Sequence, residues 1–206
     1  MIVEGFGSGP LGVNCYIAVD EKTKKGFMVD PGGYVEDIET FIKVNEIQIV
    51  YIILTHGHGD HTGGVKRFME LYGDAKLVAC KDEAEMLKNS YENFSVETYG
   101  EPLSLTADVL VGDGDTLTVG DLVLTFIHTP GHTTGGMSIY VENCLFSGDT
   151  LFAQSIGRTD FPGGSFPQII DSITKKLFLL PDDTQVYPGH MGPTTIGFEK
   201  RNNPFV

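Results

Sequence analysis

Ile49-Val50-Tyr51-Ile52-Ile53-Leu54 runs straight into Thr55-His56-Gly57-His58-Gly59-Asp60-His61. The first six residues are continuously apolar and rich in branched side chains, which suits a central strand covered on both faces. The polar turn after it lies where α/β proteins commonly carry their sites, beyond the carboxyl end of a strand. Three of the six histidines in the chain fall between positions 56 and 61. His56 and His58 are two apart, so an extended backbone points both imidazoles the same way. Asp60 and His61 follow one turn-like step later and face a neighbouring point. So dense a donor set suits two metal ions better than one. Imidazole and carboxylate without thiolate favour zinc, iron or manganese over copper(I).

Three more donors sit in similar contexts. His132 follows the apolar run 122–128 in Thr129-Pro130-Gly131-His132. Asp149 follows 144–147 in Ser147-Gly148-Asp149, and His190 follows 185–187 in Pro188-Gly189-His190. Each is preceded by a glycine, and each closes a strand-like run. That shared placement predicts convergence on one sheet edge. Five histidines and two aspartates are too many donors for one four-coordinate zinc, whereas two ions sharing a bridging carboxylate can use them all.

Outward from these stretches, strands and helices alternate along the chain. Cys15–Val19 and Gly26–Val29 read as a hairpin, and Asp30-Pro31-Gly32-Gly33 stops its second strand. Residues 35–46 carry apolar side chains at helical spacing, as do Val65, Phe68, Met69 and Tyr72 before Gly73. Lys76–Ala79 reads as a strand, Glu83–Asn89 as a short helix, and residues 90–108 are ambiguous. Thr116–Val119 and Leu122–His128 flank Gly120-Asp121, a strong hairpin signal. Met137–Val141 and Cys144–Ser147 flank a second turn. A helix is expected over 166–180, stopped by Pro181, and a strand over Gln185–Tyr187. No linker divides the chain. The expected class is α/β: one domain over 1–206, with layered sheets and helices outside.

Composition limits the function. With 206 residues, 41% hydrophobic and 20% charged, the chain can bury a core without disulfides. The net charge of −14 and the lack of any basic run longer than two residues disfavour nucleic acid and anionic membranes as partners. No apolar stretch reaches the roughly 18 residues a membrane helix needs. Met1–Pro10 lacks a basic segment followed by an apolar one, so no secretory signal is expected. Cys15, Cys80 and Cys144 form no CxxC pair and are expected to be reduced, mostly buried thiols in a cytoplasmic protein. Nothing in the chain fixes its oligomeric state.

The His-x-His-x-Asp-His segment, with Gly131-His132, Gly148-Asp149 and Gly189-His190, resembles the metallo-β-lactamase-fold hydrolases over about residues 12–205. Gly157-Arg158-Thr159-Asp160-Phe161-Pro162-Gly163-Gly164-Ser165 and Gly192-Pro193-Thr194-Thr195-Ile196-Gly197-Phe198-Glu199, with Asn203-Pro204-Phe205, narrow the resemblance. They are similar to the short glyoxalase II-like (hydroxyacylglutathione hydrolase-like) branch. The resemblance implies a four-layer αβ/βα sandwich of two mixed β-sheets with helices on the outer faces. It implies that His56, His58 and His132 hold one metal ion and Asp60, His61 and His190 another, with Asp149 bridging. The implied cofactors are two divalent ions, zinc foremost, with iron or manganese as alternatives. The implied activity is hydrolysis of a small-molecule thioester, S-D-lactoylglutathione-like, by a hydroxide between the ions, with Asp60 or Asp149 orienting the attacking water.

Two departures separate the chain from long glyoxalase II enzymes. It stops before their C-terminal helical region, and it has Thr55-His56-Gly57-His58 where many of them carry a third histidine. Both bear on glutathione, and neither bears on the donor set. Asp149 also stands where β-lactamases lack a bridging aspartate, which argues against β-lactam hydrolysis. The alternative within the fold is a persulfide dioxygenase-like enzyme using one iron, since those enzymes share the His/Asp segment and a similar Gly-Arg-Thr-Asp-Phe stretch.

Other residues carry plainer readings. His128 reads as structural or as a support to the donors. Asp30 reads either as a turn residue or as an acceptor orienting the His/Asp loop. Arg158 and Asp160 are expected to pair and pin their loop rather than touch substrate. Phe161 and Tyr187 are expected to pack, and Cys144 to lie in the core.

Overall fold

Both faces of Val13–Val19 are buried. Cys15, Ile17 and Val19 point into one apolar cluster, and Tyr16 and Ala18 into another. A strand apolar on both sides needs a layer above it and a layer below, and that requirement generates the architecture.

The computed structural model describes residues 1–206. One six-stranded sheet runs in chain order: β1 (Ile2–Ser8), β2 (Val13–Val19), β3 (Lys25–Val29), β4 (Gln48–Ile53), β5 (Lys76–Cys80) and β6 (Val109–Val111). β1, β2 and β3 pair antiparallel, whereas β3 to β6 pair parallel. The second sheet holds β7 (Thr116–Val119), β8 (Leu122–His128), β9 (Met137–Val141), β10 (Cys144–Gly148), β13 (Gln185–Pro188) and β14 (Thr194–Thr195), in the order β14-β13-β10-β9-β8-β7. A separate hairpin joins β11 (Leu151–Phe152) to β12 (Ser155–Ile156).

α1 (Glu36–Val44) and α3 (Val65–Leu71) cover the first sheet through Ile38, Ile42, Val65 and Phe68. α5 (Phe166–Lys175) and α6 (Ile196–Asn202) cover the second through Ile169, Ile173 and Ile196. Phe27, Phe126 and Phe146 fill the space between the sheets without exposure. Truncating one of them to alanine would cost about 3–5 kcal/mol. Two short helices, α2 (Gly59–Thr62) and α4 (Ser95–Tyr99), lie near the ends of the strands. No helix is long and apolar enough to cross a membrane.

This is the expected four-layer sandwich of two mixed sheets. The strand over 49–54 also behaves as read: Ile52 and Leu54 face the helices, and Ile53 faces the second sheet. Strand direction gathers the segments that follow. β10 and β13 are parallel, and β8 runs the same way because β9 is antiparallel to both β8 and β10. Backbone bonds from Met137 N to Thr55 O (2.9 Å) and from Asn14 N to Gly189 O (2.7 Å) tie the two sheets together at that rim.

Several elements differ from the sequence reading. Glu83–Asn89 is not a helix but parts of two 3-10 turns, Lys81–Glu83 and Met86–Lys88. So short a segment repays little of the cost of helix nucleation, and the Glu83 side chain is drawn inward to other backbone groups. The helix expected over 166–180 ends at Lys175 and gives way to a 3-10 turn at Leu177–Leu179. Pro181 holds Leu180 extended, as the residue before a proline should be. β1, α6 and the hairpin β11–β12 were not legible in the sequence. Cys144 opens β10 half-buried rather than in the core.

Candidate metal centre

The loop after β4 carries four of the seven donors. His58 precedes α2, and Asp60 and His61 lie within it. His132 comes from the loop after β8, Asp149 from the turn after β10, and His190 from the turn after β13. Close approach requires glycine before each of these last three, as Gly148 and Gly189 illustrate. A side chain at Gly148, which has φ +50°, would overlap Thr55, and one at Gly189 would overlap Asp149 and His61.

The structure brings all seven together. Donor atoms of His56, His58 and His132 lie within 4.8 Å of one another, as do those of Asp60, His61 and His190 and those of His56, His61 and Asp149. Asp149 stands between the first two groups. Its Oδ1 is 3.4 Å from His61 Nε2, and its Oδ2 is 3.6 Å from His132 Nε2 and 3.7 Å from His190 Nε2. Asp60 Oδ2 is 3.3 Å from His190 Nε2 and 3.7 Å from His61 Nε2.

The inner residues are held from behind. Asp30 is buried at the end of β3 with φ +49°. It accepts from Thr55 N (2.8 Å) and Thr55 Oγ1 (2.6 Å), and its Oδ2 lies 2.9 Å from His61 Nδ1. Thr55 Oγ1 is also 3.1 Å from His56 Nδ1. Asp30 is therefore an orienting acceptor, the second of the two roles its sequence context allowed. His132 Nδ1 lies 2.7 Å from Arg158 O. These contacts turn the opposite ring nitrogens toward the centre.

Glu83 is a support that sequence reasoning missed. It is buried, and its two oxygens accept from Gly57 N (2.8 Å) and Gly135 N (2.7 Å). It thus ties the His56–His58 loop to the loop following His132. No local motif marks it, because its partners are backbone groups far away in sequence.

Burial governs the electrostatics. It pushes the His58 imidazole down to about 3, with His132 beside it adding to the effect. It also pushes His56 well down, aided by His61 and His58. At Asp149 burial acts upward, but His61, His132 and His190 together outweigh it and hold the carboxyl low. At His61 burial acts downward, but Asp149, Asp60 and Asp30 outweigh it and raise the imidazole well above its usual range. His190 is raised by its hydrogen bond to Asp60.

The arrangement is incomplete as protein alone. His56 Nε2, His61 Nε2 and Asp149 Oδ1 are buried and have no hydrogen-bond partner, and His58 turns its Nδ1 to within 3.0 Å of His132 Nε2. Buried polar atoms left unpaired are costly. Several converging on one point, with carboxylates among them, are satisfied together by cations. The donor set therefore fits divalent metal ions.

Five of the seven donors line a cavity of about 410 Å³. Its walls include Leu11, Phe94, Phe152, Ile156, Phe161 and Met191. Phe161 packs as expected, its ring 5.4 Å from that of His58 and 5.1 Å from that of Phe94, and it lines the cavity as well. Arg158 and Asp160 pair as expected, Nε to Oδ1 at 3.0 Å and Nη2 to Oδ2 at 2.8 Å. Arg158 nevertheless also lines the cavity. Tyr187 packs against Tyr16 and Phe146 between the sheets. His128 is structural, with Nε2 3.0 Å from Thr134 O.

The family model of the metallo-beta-lactamase superfamily matches residues 8–190. Hydroxyacylglutathione hydrolase GloC of Haemophilus influenzae is 33% identical over 201 residues, covering 94% of this chain and 92% of that protein. Among solved structures, the B3 metallo-beta-lactamase BLEG-1 is 36% identical with a TM-score of 0.92, covering 99% of each chain. ETHE1 from Myxococcus xanthus is 30% identical with a TM-score of 0.79, covering 99% of this chain and 84% of the other. TTHA1623, solved in a di-iron-bound form, is 29% identical with a TM-score of 0.85, covering 98% and 100%.

Proposed function

Because the chain belongs to the metallo-beta-lactamase superfamily, we propose that it is a metal-dependent hydrolase cleaving small-molecule thioesters, S-D-lactoylglutathione-like in bond type. His56, His58 and His132 would hold one divalent ion and Asp60, His61 and His190 a second, with Asp149 shared between them. Zinc is the first choice of metal, with iron or manganese as alternatives. The observation that carries this reading is the convergence of unpartnered buried donor atoms around Asp149. The likeness to a di-iron-bound structure supports two ions, and the likeness to GloC supports a thioester.

Bound ions would supply Lewis acidity, lowering the pKa of water to roughly 7 and polarising a carbonyl. The chain's own groups do the rest. Asp60, which lines the cavity, and Asp149 accept hydrogen bonds from the attacking water and orient it. Phe94 and Phe161 exclude bulk water beside His58. The water oxygen bonds to the acyl carbon, the carbon–sulfur bond breaks, and the thiolate leaves with the electron pair. The proton lost by the water passes through solvent to the departing thiolate, so the products are a carboxylic acid and a thiol. A thiolate whose conjugate acid has a pKa of about 8.5 departs without a dedicated general acid. That suits a cavity whose lining offers no lysine or tyrosine.

β-Lactam hydrolysis is the second reading, favoured by the likeness to BLEG-1 over nearly the whole of both chains. An amide nitrogen leaves less readily than a thiolate, and Asp149 stands where β-lactamases lack a bridging aspartate, so thioesters rank first. Elemental analysis of the purified protein, followed by assays on S-D-lactoylglutathione, simple thioesters and a chromogenic cephalosporin, tests the proposal. Two ions per chain and thioester turnover are expected. One iron per chain with oxygen uptake on glutathione persulfide would replace the hydrolase by the dioxygenase alternative.

A further inference from the structure

The cavity above the donors is apolar and offers no free positive charge. Leu11 and Met191 stand exposed at its mouth, Phe152 is buried, and Phe94, Ile156 and Phe161 are half-buried along its walls. Two of these side chains are presented by strained backbone, Phe94 at φ +55° and Met191 at φ +68°. Bulky residues rarely adopt that conformation, and they persist in it only where the surroundings impose it. The neighbouring packing explains part of this at Phe94, whose ring meets both Phe161 and His58.

Arg158 is the only lysine or arginine lining the cavity. Its guanidinium is already engaged twice, by both oxygens of Asp160 and by the face of the Phe161 ring 4.2 Å away. Recruiting it for a substrate carboxylate would mean giving up a two-point ion pair. Glutathione carries two carboxylates, and apart from the metal-directed donors the cavity has only Arg158, Thr98 and Ser155 to meet them. The overall charge of −14 adds a repulsive background for such a ligand.

Resting on the hydrolase reading above, we infer that the preferred substrate is a thioester of an apolar acyl group on an uncharged thiol carrier. The hydrocarbon lies against Phe94, Phe161, Phe152 and Ile156. Specificity then comes from burial of methylene groups rather than from ion pairs. Each added methylene that leaves water should raise kcat/KM about threefold to fourfold until the cavity is filled.

The test uses the metal-loaded full chain with acetyl, butanoyl and hexanoyl thioesters of N-acetylcysteamine beside S-D-lactoylglutathione. Rising kcat/KM along the series, with the hexanoyl ester ahead of S-D-lactoylglutathione, is the expected result. Competitive inhibition by the corresponding non-hydrolysable thioethers should strengthen with chain length in parallel. Phe161→Ala should flatten both trends. A flat series with S-D-lactoylglutathione preferred, and lost on Arg158→Ala, would overturn the inference while leaving thioester hydrolysis standing. If no thioester is turned over and no thioether binds, the hydrolase reading falls and takes the inference with it.

Discussion

The two donor groups flanking Asp149 are not equivalent. His56, His58 and His132 are all imidazoles and all buried. Asp60, His61 and His190 include a carboxylate, and His190 is about a quarter exposed at 26%. The first group contains no carboxylate and is the more deeply buried, and the second includes a carboxylate and is more exposed. Each has one member at the back, His56 or His61, and both of those lean on the same Asp30–Thr55 pair. If two ions bind as proposed, they should be held with unequal strength and lost separately. Only changes at elements shared by both groups should affect them together.

Asp149→Ala is expected to have the largest effect, because both groups lose their common oxygen donor. Turnover should vanish, and metal content should fall from two ions toward one or fewer by elemental analysis. Asp30→Ala touches no ion yet reaches both back histidines. Loss of such an orienting partner typically costs about 10–100-fold in metal affinity, and Thr55 N is left buried without its acceptor. A chelator competition titration should show both ions weakened. A single weakened ion would break the symmetry of support inferred for Asp30.

Glu83→Gln should be selective. The glutamine retains one acceptor oxygen, so only one of the bonds to Gly57 N and Gly135 N survives. The same titration should show about tenfold weaker binding at the all-imidazole group, with the second ion unmoved. Equal loss of both ions would show that the two loops are mechanically coupled.

The smallest effect lies far from the donors. Asp20 accepts from Thr23 Oγ1 (2.6 Å), Asp121 N (2.8 Å) and Lys22 N (3.1 Å), and these bonds hold its carboxyl down at about 2. A carboxyl depressed on folding adds stability above its unfolded pKa of about 4 and loses it as pH falls through the folded value. Urea unfolding should therefore show a wild-type decline between pH 4 and 2 that is shallower in Asp20→Asn. Metal content near neutrality should be unchanged in that variant.

How much of this was legible in the sequence follows from the range of the interactions. The segment His56–His61 is local, so spacing and its place after an apolar strand were enough to mark it. His132, Asp149 and His190 were marked by a repeated context, a glycine and a donor after a strand. Strand direction explains why that context means convergence. Glu83 and the cavity wall at Phe94 depend on distant partners. Phe94 lies within the ambiguous stretch 90–108, where no periodicity identifies α4. β1 was missed because Gly5 and Gly7 dilute its alternation, and its conformation is fixed by pairing with β2. Phe161 packs as expected and also lines the cavity, which an aromatic residue after Arg-Thr-Asp does not signal.

The central claim is that two cations share the Asp149 carboxylate. Anomalous diffraction from crystals of the metal-loaded protein, collected at the absorption edge of the bound element, tests it directly. Two peaks per chain are expected, one beside His56, His58 and His132 and one beside Asp60, His61 and His190, with Asp149 between them. One peak, or none, with Asp149 free of both would contradict it.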